Sequence, residues 1–185
     1  CAYCFYLSKR VLPGGPGSGH MPDDVLERFV KDYIDSITAD EVVFSWQGGE
    51  PTLLGLGFFE KVVALQKKHA RAGQRIENDL QTNGTLLDDD WARFLKQQRF
   101  LVGLSIDGPR EIHDHCRITK HAEPTFDQVF AAAKMLQKHG VRFNTLTCVH
   151  RYNASRPLDV YRFLRREIGS TYIQFIPIVE IKGFE

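Results

Sequence analysis

Residues 41–51 read EVVFSWQGGEP, and the fold turns on the change of character after Trp46. Val42, Val43, Phe44 and Trp46 are β-branched or aromatic, types that suit a pleated, half-buried surface. Two adjacent glycines and a proline then end the strand abruptly. The next stretch, GFFEKVVALQKKHARA, places Phe59, Val62, Val63 and Gln66 on neighbouring helical turns. A strand that runs into turn chemistry and is followed by a helix is a β/α unit.

The same order recurs outward. Upstream, PDDVLERFVKDYIDSI carries Val25, Leu26, Phe29, Val30, Tyr33, Ile34 and Ile37 on one stripe, with Asp23 and Asp24 in the first turn where the helix dipole favours them. Before it, LPGGPGSGH is too rich in Pro, Gly and Ser to hold a regular element. Downstream, RIENDLQTN reads as a strand, LDDDWARFLKQQ as a helix capped by Asp88 with Trp91, Phe94 and Leu95 inward, and FLVGLSID as a buried strand. Thr125 and Gln128 have the spacing of a capping box opening the next helix. The strand VRFNTLTCV, a helix from Ser155 to near Gly169, and the strand TYIQFIPI complete the series.

Five strands alternate with five helices, a helix coming first. Such alternation predicts an α/β fold with a parallel sheet covered by helices. A first strand missing from the chain and expected ahead of Cys1 makes the architecture a partial, TIM-like (β/α)6 barrel, an incomplete relative of the eight-stranded closed barrel. Function in such sheets gathers at the carboxyl ends of strands.

Composition narrows the classes. The 185 residues are 43% hydrophobic and 25% charged, ordinary for one domain with a real core, here residues 1–185. A net charge of +1 provides no field to draw the chain to nucleic acid or a membrane surface. Four irregularly spaced cysteines are too few for a secreted disulfide framework, so a reducing, cytoplasmic setting is expected. No apolar run approaches the roughly 20 residues of a membrane span.

Polar residues stand at the strand ends. Gln47, Gly48, Gly49 and Glu50 end the first strand; the glycines allow close backbone approach, and glycines before a carboxylate suit an ammonium group. TNG at 82–84 and DGP at 107–109 are turn formers first. Ser105 places a hydroxyl on the inward side of a strand near its end, and Arg117 offers a guanidinium able to grip a carboxylate. HDHCR at 113–117 has the residue types of a metal cluster, and His113 and His115 could meet on an extended segment though not on one helical face; a polar loop after the strand is the plainer reading. Cys148 reads as a small buried hydrophobe, and the arginines between 151 and 166 as a solvated helix face. The pair Cys1 and Cys4 fits a redox dithiol, half of a zinc site or part of an iron–sulfur ligand set, and spacing does not choose.

CAYCFYLSK, MPDDVLERFV, FSWQGGEPTLLG, LQTNGTLLDDDW and LSIDGPREIHDHCR, in that order, resemble the radical S-adenosylmethionine enzymes and, within them, the anaerobic sulfatase-maturating enzymes. The family's cluster motif is C-x-x-x-C-x-Φ-C with Φ aromatic; Cys1 and Cys4 match its second and third cysteines, and the first is expected four residues before Cys1. The resemblance implies a [4Fe-4S] cluster held by Cys1 and Cys4, and S-adenosylmethionine as cofactor. It implies Gly48, Gly49 and Glu50 at the methionine ammonium, Arg117 at its carboxylate, Ser105 on the ribose side, and Tyr3 and Ile178 beside the adenine. Tyr6 and Gln47 are then expected near the target side chain.

The implied reaction oxidises a Ser or Cys of a sulfatase polypeptide to formylglycine through a 5′-deoxyadenosyl radical, with flavodoxin or ferredoxin as reductant. The family's C-terminal Cys-rich domain with two further clusters, and its proposed acidic base, are expected beyond Glu185, so that this segment alone is expected to be inactive. A radical maturase forming thioether or carbon–carbon links is the neighbouring alternative. A redox or zinc-binding C-x-x-C module is the distant one, and a thioredoxin-like pair should open a helix, whereas Pro13 and several glycines intervene here.

Overall fold

A computed structural model describes residues 1–4 and 21–178. The loop expected at 12–20 and the candidate Tyr6 lie outside the described residues. Helix α1 spans Asp23–Ser36 and strand β1 Glu41–Trp46, followed by a 3₁₀ turn at Pro51–Leu54 and α2 at Leu56–His69. Then come β2 (Arg75–Thr82), α3 (Asp89–Gln97), β3 (Leu101–Ser105), α4 (Arg110–Cys116) and α5 (Phe126–Lys138). The series ends with β4 (Arg142–Val149), α6 (Arg151–Ala154), α7 (Pro157–Arg162), a π turn at Phe163–Glu167 and β5 (Ile173–Pro177).

The five strands lie in the order of the chain, each parallel to the next. Crossovers of one hand between successive neighbours put every helix on the same side, and the sheet curls into a half-barrel of the TIM-like kind. Burial agrees: in β1, Val42 and Phe44 are buried while Glu41, Val43 and Ser45 are exposed. In β3, Val102 and Leu104 are buried under the helices. The alternate residues, Gly103 and Ser105, therefore belong to the concave face.

The main core joins Leu80, Val102 and Leu104 of the sheet to Phe59, Leu95, Leu136 and Leu164 of the covering helices. A smaller cluster sets Leu26, Val30 and Ile34 of α1 against Val42, Phe44 and Val62. The expected inward residues of α2 and α3 are the ones buried, and Asp88 caps α3 by accepting from the Trp91 amide. Gln66 belongs to that buried face for a specific reason: its amide and that of Asn78 exchange two hydrogen bonds of 2.9 Å, and Asn78 also accepts from Trp46 Nε1. Paired in this way, a polar couple is tolerated in an apolar layer.

Several local expectations are corrected. The stripe of α1 is narrower than its sequence suggests, for Val25 and Phe29 stay 46% and 42% exposed. Residues 113–117 are not a loop: α4 begins after Pro109 and carries His113 buried and His115 exposed, on different faces as helical spacing requires. The capping box at Thr125 does not form. Asp114 instead accepts from both the Thr125 and Phe126 amides, at 3.0 and 2.9 Å, while the Thr125 hydroxyl donates to the Arg117 carbonyl. The single helix expected from Ser155 is broken into α7, which starts at Pro157, and a π turn.

Candidate active site

Because the strands are parallel, the turns after β1, β2, β3, β4 and β5 share one rim. The cysteine loop reaches that rim too. Ala2 N donates to the Cys116 carbonyl at the end of α4 (2.7 Å), Cys4 N donates to the Cys1 carbonyl (3.1 Å), and the Tyr3 hydroxyl donates to Asp107 just beyond β3 (2.5 Å). The opening cysteines and the Gly48, Gly49, Glu50 turn thus stand on the same edge of one curved sheet.

At the end of β1, Gly48 and Gly49 have φ of 103° and 58°, conformations that a side chain disfavours. A Cβ built on Gly49 would meet nothing within 4 Å, so this backbone faces open space. Glu50 is occupied within the chain. Its carboxylate accepts from Thr52 N (3.1 Å), Thr52 Oγ1 (2.6 Å), Thr82 Oγ1 (2.7 Å) and Asn83 N (2.7 Å). A carboxylate has about four acceptor positions. Glu50 therefore ties the end of β1 to the end of β2 and caps the 3₁₀ turn. Thr82 and Asn83 act as turn residues, as expected: Gly84 N donates to Thr82 Oγ1 and Thr85 N to Asn83 Oδ1.

Arg117 lies only 7% exposed at the end of α4. Its Nε stands 2.8 Å from Asp107 Oδ2, in an ion pair rather than an aligned hydrogen bond. Its Nη1 and Nη2 each reach a sulfur at 3.8 Å, Cys1 and Cys148 respectively. The guanidinium also stands 5.5 Å from the Tyr3 ring centroid. Burial works against its charge, yet the Asp107 carboxylate holds its pKa above the usual arginine value. Thiols are weak acceptors, so the two terminal nitrogens are strong donors with poor partners.

The neighbours are tuned by burial. Desolvation raises the Tyr3 phenol, with Asp107 adding to it, and keeps the hydroxyl protonated. Burial raises the Cys148 thiol, so it is no reactive thiolate. His113, inside α4, is pushed down to about 4 by desolvation and then by Arg117. Being neutral, it accepts from Asp107 N on Nδ1 (3.4 Å) and contacts Thr125 Oγ1 through Nε2 (3.1 Å).

The other candidates lie along the same rim. Ser105 closes β3, half-buried, and Ile178 follows β5 with its amide donating to the Val149 carbonyl (3.1 Å). Gln47 is exposed after β1. Sequence reasoning passed over Asp107, taken as a turn residue, and over Cys148, which is half-buried against Arg117 instead of lost in the core. The position of Asp107, two residues past Ser105 at a strand end, was the available signal.

Comparison with known proteins fits this geometry. The family model of the Radical SAM superfamily matches residues 1–164. A serine-type anaerobic sulfatase-maturating enzyme of Bacteroides thetaiotaomicron is 47% identical over 180 residues, covering 97% of this chain and 43% of that protein. A cysteine-type anaerobic sulfatase-maturating enzyme of Clostridium perfringens is 44% identical over 188 residues, covering 99% and 50%. The chain thus spans about half the length of these relatives. The solved structure of anSMEcpe with bound AdoMet superposes with a TM-score of 0.90 at 43% identity, over 99% of this chain and 50% of that one. With a matching family model over most of its length and its motifs on one rim, the chain belongs to the radical SAM superfamily.

Proposed function

We propose that residues 1–185 form the core domain of a radical S-adenosylmethionine enzyme that oxidises a Ser or Cys side chain of a sulfatase polypeptide to formylglycine. The observation that carries this reading is the buried guanidinium of Arg117, whose terminal nitrogens reach only sulfur among the described residues and stand beside Cys1. A carboxylate is the group such donors are built to hold. Relatives of both the serine and the cysteine type, and a related structure with bound AdoMet and the Cp18Cys peptide, support the substrate class.

The residues fit the cofactors. Cys1 and Cys4 would hold a [4Fe-4S] cluster on their loop. The carbonyls of Gly48 and Gly49 would receive the methionine ammonium, with Glu50 fixing that turn through its four donors, and Arg117 would receive the carboxylate. Ser105 would face the ribose, Tyr3 and Ile178 the adenine. When bound, the reduced cluster would give S-adenosylmethionine the one electron that cleaves its sulfonium, and that cleavage would supply a hydrogen-abstracting power that no side chain has. The chain's own residues orient the cofactor and exclude water. Gln47, exposed at the mouth, and Tyr6 would meet the target side chain, and a small electron-transfer protein such as flavodoxin or ferredoxin would be the reductant. A cytoplasmic setting belongs to this reading, and no helix among the described residues is long and apolar enough to cross a membrane.

The test is anaerobic reconstitution of the holoenzyme with iron and sulfide, followed by incubation with S-adenosylmethionine, a strong reductant and a sulfatase peptide carrying Ser or Cys. Formation of 5′-deoxyadenosine with an aldehyde on the peptide is expected. Absence of 5′-deoxyadenosine refutes the enzyme; its formation with a crosslinked peptide moves the assignment to another peptide maturase.

A further inference from the structure

Among the described residues Asp107 is the only buried acid, at 0% exposure. Burying a carboxylate is costly unless charge and hydrogen bonds compensate it, and the partners of Asp107 come from three separate segments. Oδ2 takes the Tyr3 hydroxyl from the cysteine loop (2.5 Å) and the Arg117 Nε from the end of α4 (2.8 Å). Oδ1 takes the Cys148 amide from the end of β4 (2.9 Å). The main chain of Asp107 is held as well, its amide by His113 Nδ1 and its carbonyl by Asn153 Nδ2 (3.5 Å). The carboxylate therefore cannot follow either partner if one of them moves.

The sharing of Oδ2 has a consequence. Engaged by Asp107 through Nε, the guanidinium can rotate little, and both terminal nitrogens stay turned toward Cys1 and Cys148. The same oxygen anchors the loop that carries Cys1 and Cys4 through the Tyr3 hydroxyl. We propose that Asp107 is a positioning residue that couples the cysteine loop to Arg117, so that ordering of the loop by its cluster and capture of the cofactor carboxylate by Arg117 reinforce one another. Such coupling is reciprocal by thermodynamic necessity. The proposal rests on the cofactor reading above, and it adds a residue to which that reading gives no part.

The experiment compares the reconstituted holoenzyme with its Asp107→Asn, Tyr3→Phe and doubly substituted forms. Iron content, melting temperature, S-adenosylmethionine affinity by equilibrium dialysis, and the change in the reduced-cluster EPR signal on adding S-adenosylmethionine are measured. Asp107→Asn keeps the shape but removes the charge that fixes Arg117; affinity is expected to fall about tenfold or more, with a diminished EPR change at equal iron content. Tyr3→Phe keeps the ring and loses only the hydroxyl; a smaller loss of affinity, on the order of threefold, is expected. Since both act through one oxygen, the double variant should be no weaker than Asp107→Asn alone.

Affinity and EPR response at wild-type level in both single variants would overturn the proposal, as would losses that multiply in the double variant. Should Asp107→Asn fail to fold, Tyr3→Phe decides: unaltered affinity sinks the coupling. A wild-type holoenzyme that carries its cluster and binds no S-adenosylmethionine overturns the cofactor reading, and this proposal with it.

Discussion

Replacing Glu50 by alanine should cost stability well before any chemistry is considered. The carboxylate accepts four hydrogen bonds, two from main-chain amides and two from hydroxyls. The hydroxyls of Thr52 and Thr82 can rotate toward water or other acceptors, so the persistent loss falls on the amides of Thr52 and Asn83. Leaving such donors without a partner costs about 1–3 kcal/mol each, less where water enters a half-buried site, and we expect about 2–4 kcal/mol for Glu50→Ala. For a chain of this length that lowers the melting temperature by roughly 4–16 °C. Glu50→Gln is the sharper probe. Its carbonyl can replace Oε1, the oxygen with three donors, but its NH2 then faces the Asn83 amide, donor against donor, at the place where Oε2 accepts at 2.7 Å. A smaller loss, about 1–3 kcal/mol, follows. Urea unfolding with an unchanged m-value, read alongside Thr82→Val and the double variant, gives both numbers and their coupling. Glu50→Ala as stable as wild type would show that this tie between β1 and β2 holds nothing together.

Further outcomes follow from the buried polar groups. His113 has a folded pKa of about 4, below the ordinary 6.5, so between these values the unfolded chain binds a proton that the folded chain does not. Stability should therefore rise as pH increases from about 4 to about 6.5 and level off above, by about 3 kcal/mol at most; His113→Gln should flatten that segment of the pH–stability curve, and an identical slope in the variant would contradict the assignment. Asp114 caps α5 from outside the helix, so Asp114→Ala should destabilise by about 1–2 kcal/mol while Gln128→Ala changes little, as chemical denaturation will show.

How far the sequence could be read depended on the range of each interaction. The strand and helix content followed from period and turn chemistry, because apolar spacing along a segment reports the face that the segment buries. Thus Phe59, Val62, Val63 and Gln66, and Trp91, Phe94 and Leu95, were legible one helix at a time. Helix α4 was missed because its seven residues carry too few apolar positions to show a period, and the cap of α5 because its acceptor, Asp114, is supplied by another helix.

For the site, Gly48, Gly49, Ser105 and Arg117 stood out by residue type, each where a strand or its following helix ends, whereas Cys1 and Cys4 fitted several chemistries and were expected to hold a cluster only through the resemblance of the ordered motifs to radical S-adenosylmethionine enzymes. Chain order alone also dictated that these ends share a rim once the strands are parallel. What each side chain does there was decided in three dimensions. Whether Glu50 faces outward or is spent on Thr82 and Asn83, and whether Asp107 is a turn former or the shared partner of Tyr3 and Arg117, depends on groups as much as 104 positions away in the chain. Hydrogen bonds and ion pairs are short in space and indifferent to sequence separation, so no local pattern encodes them; only the closing of the sheet brings their partners within reach.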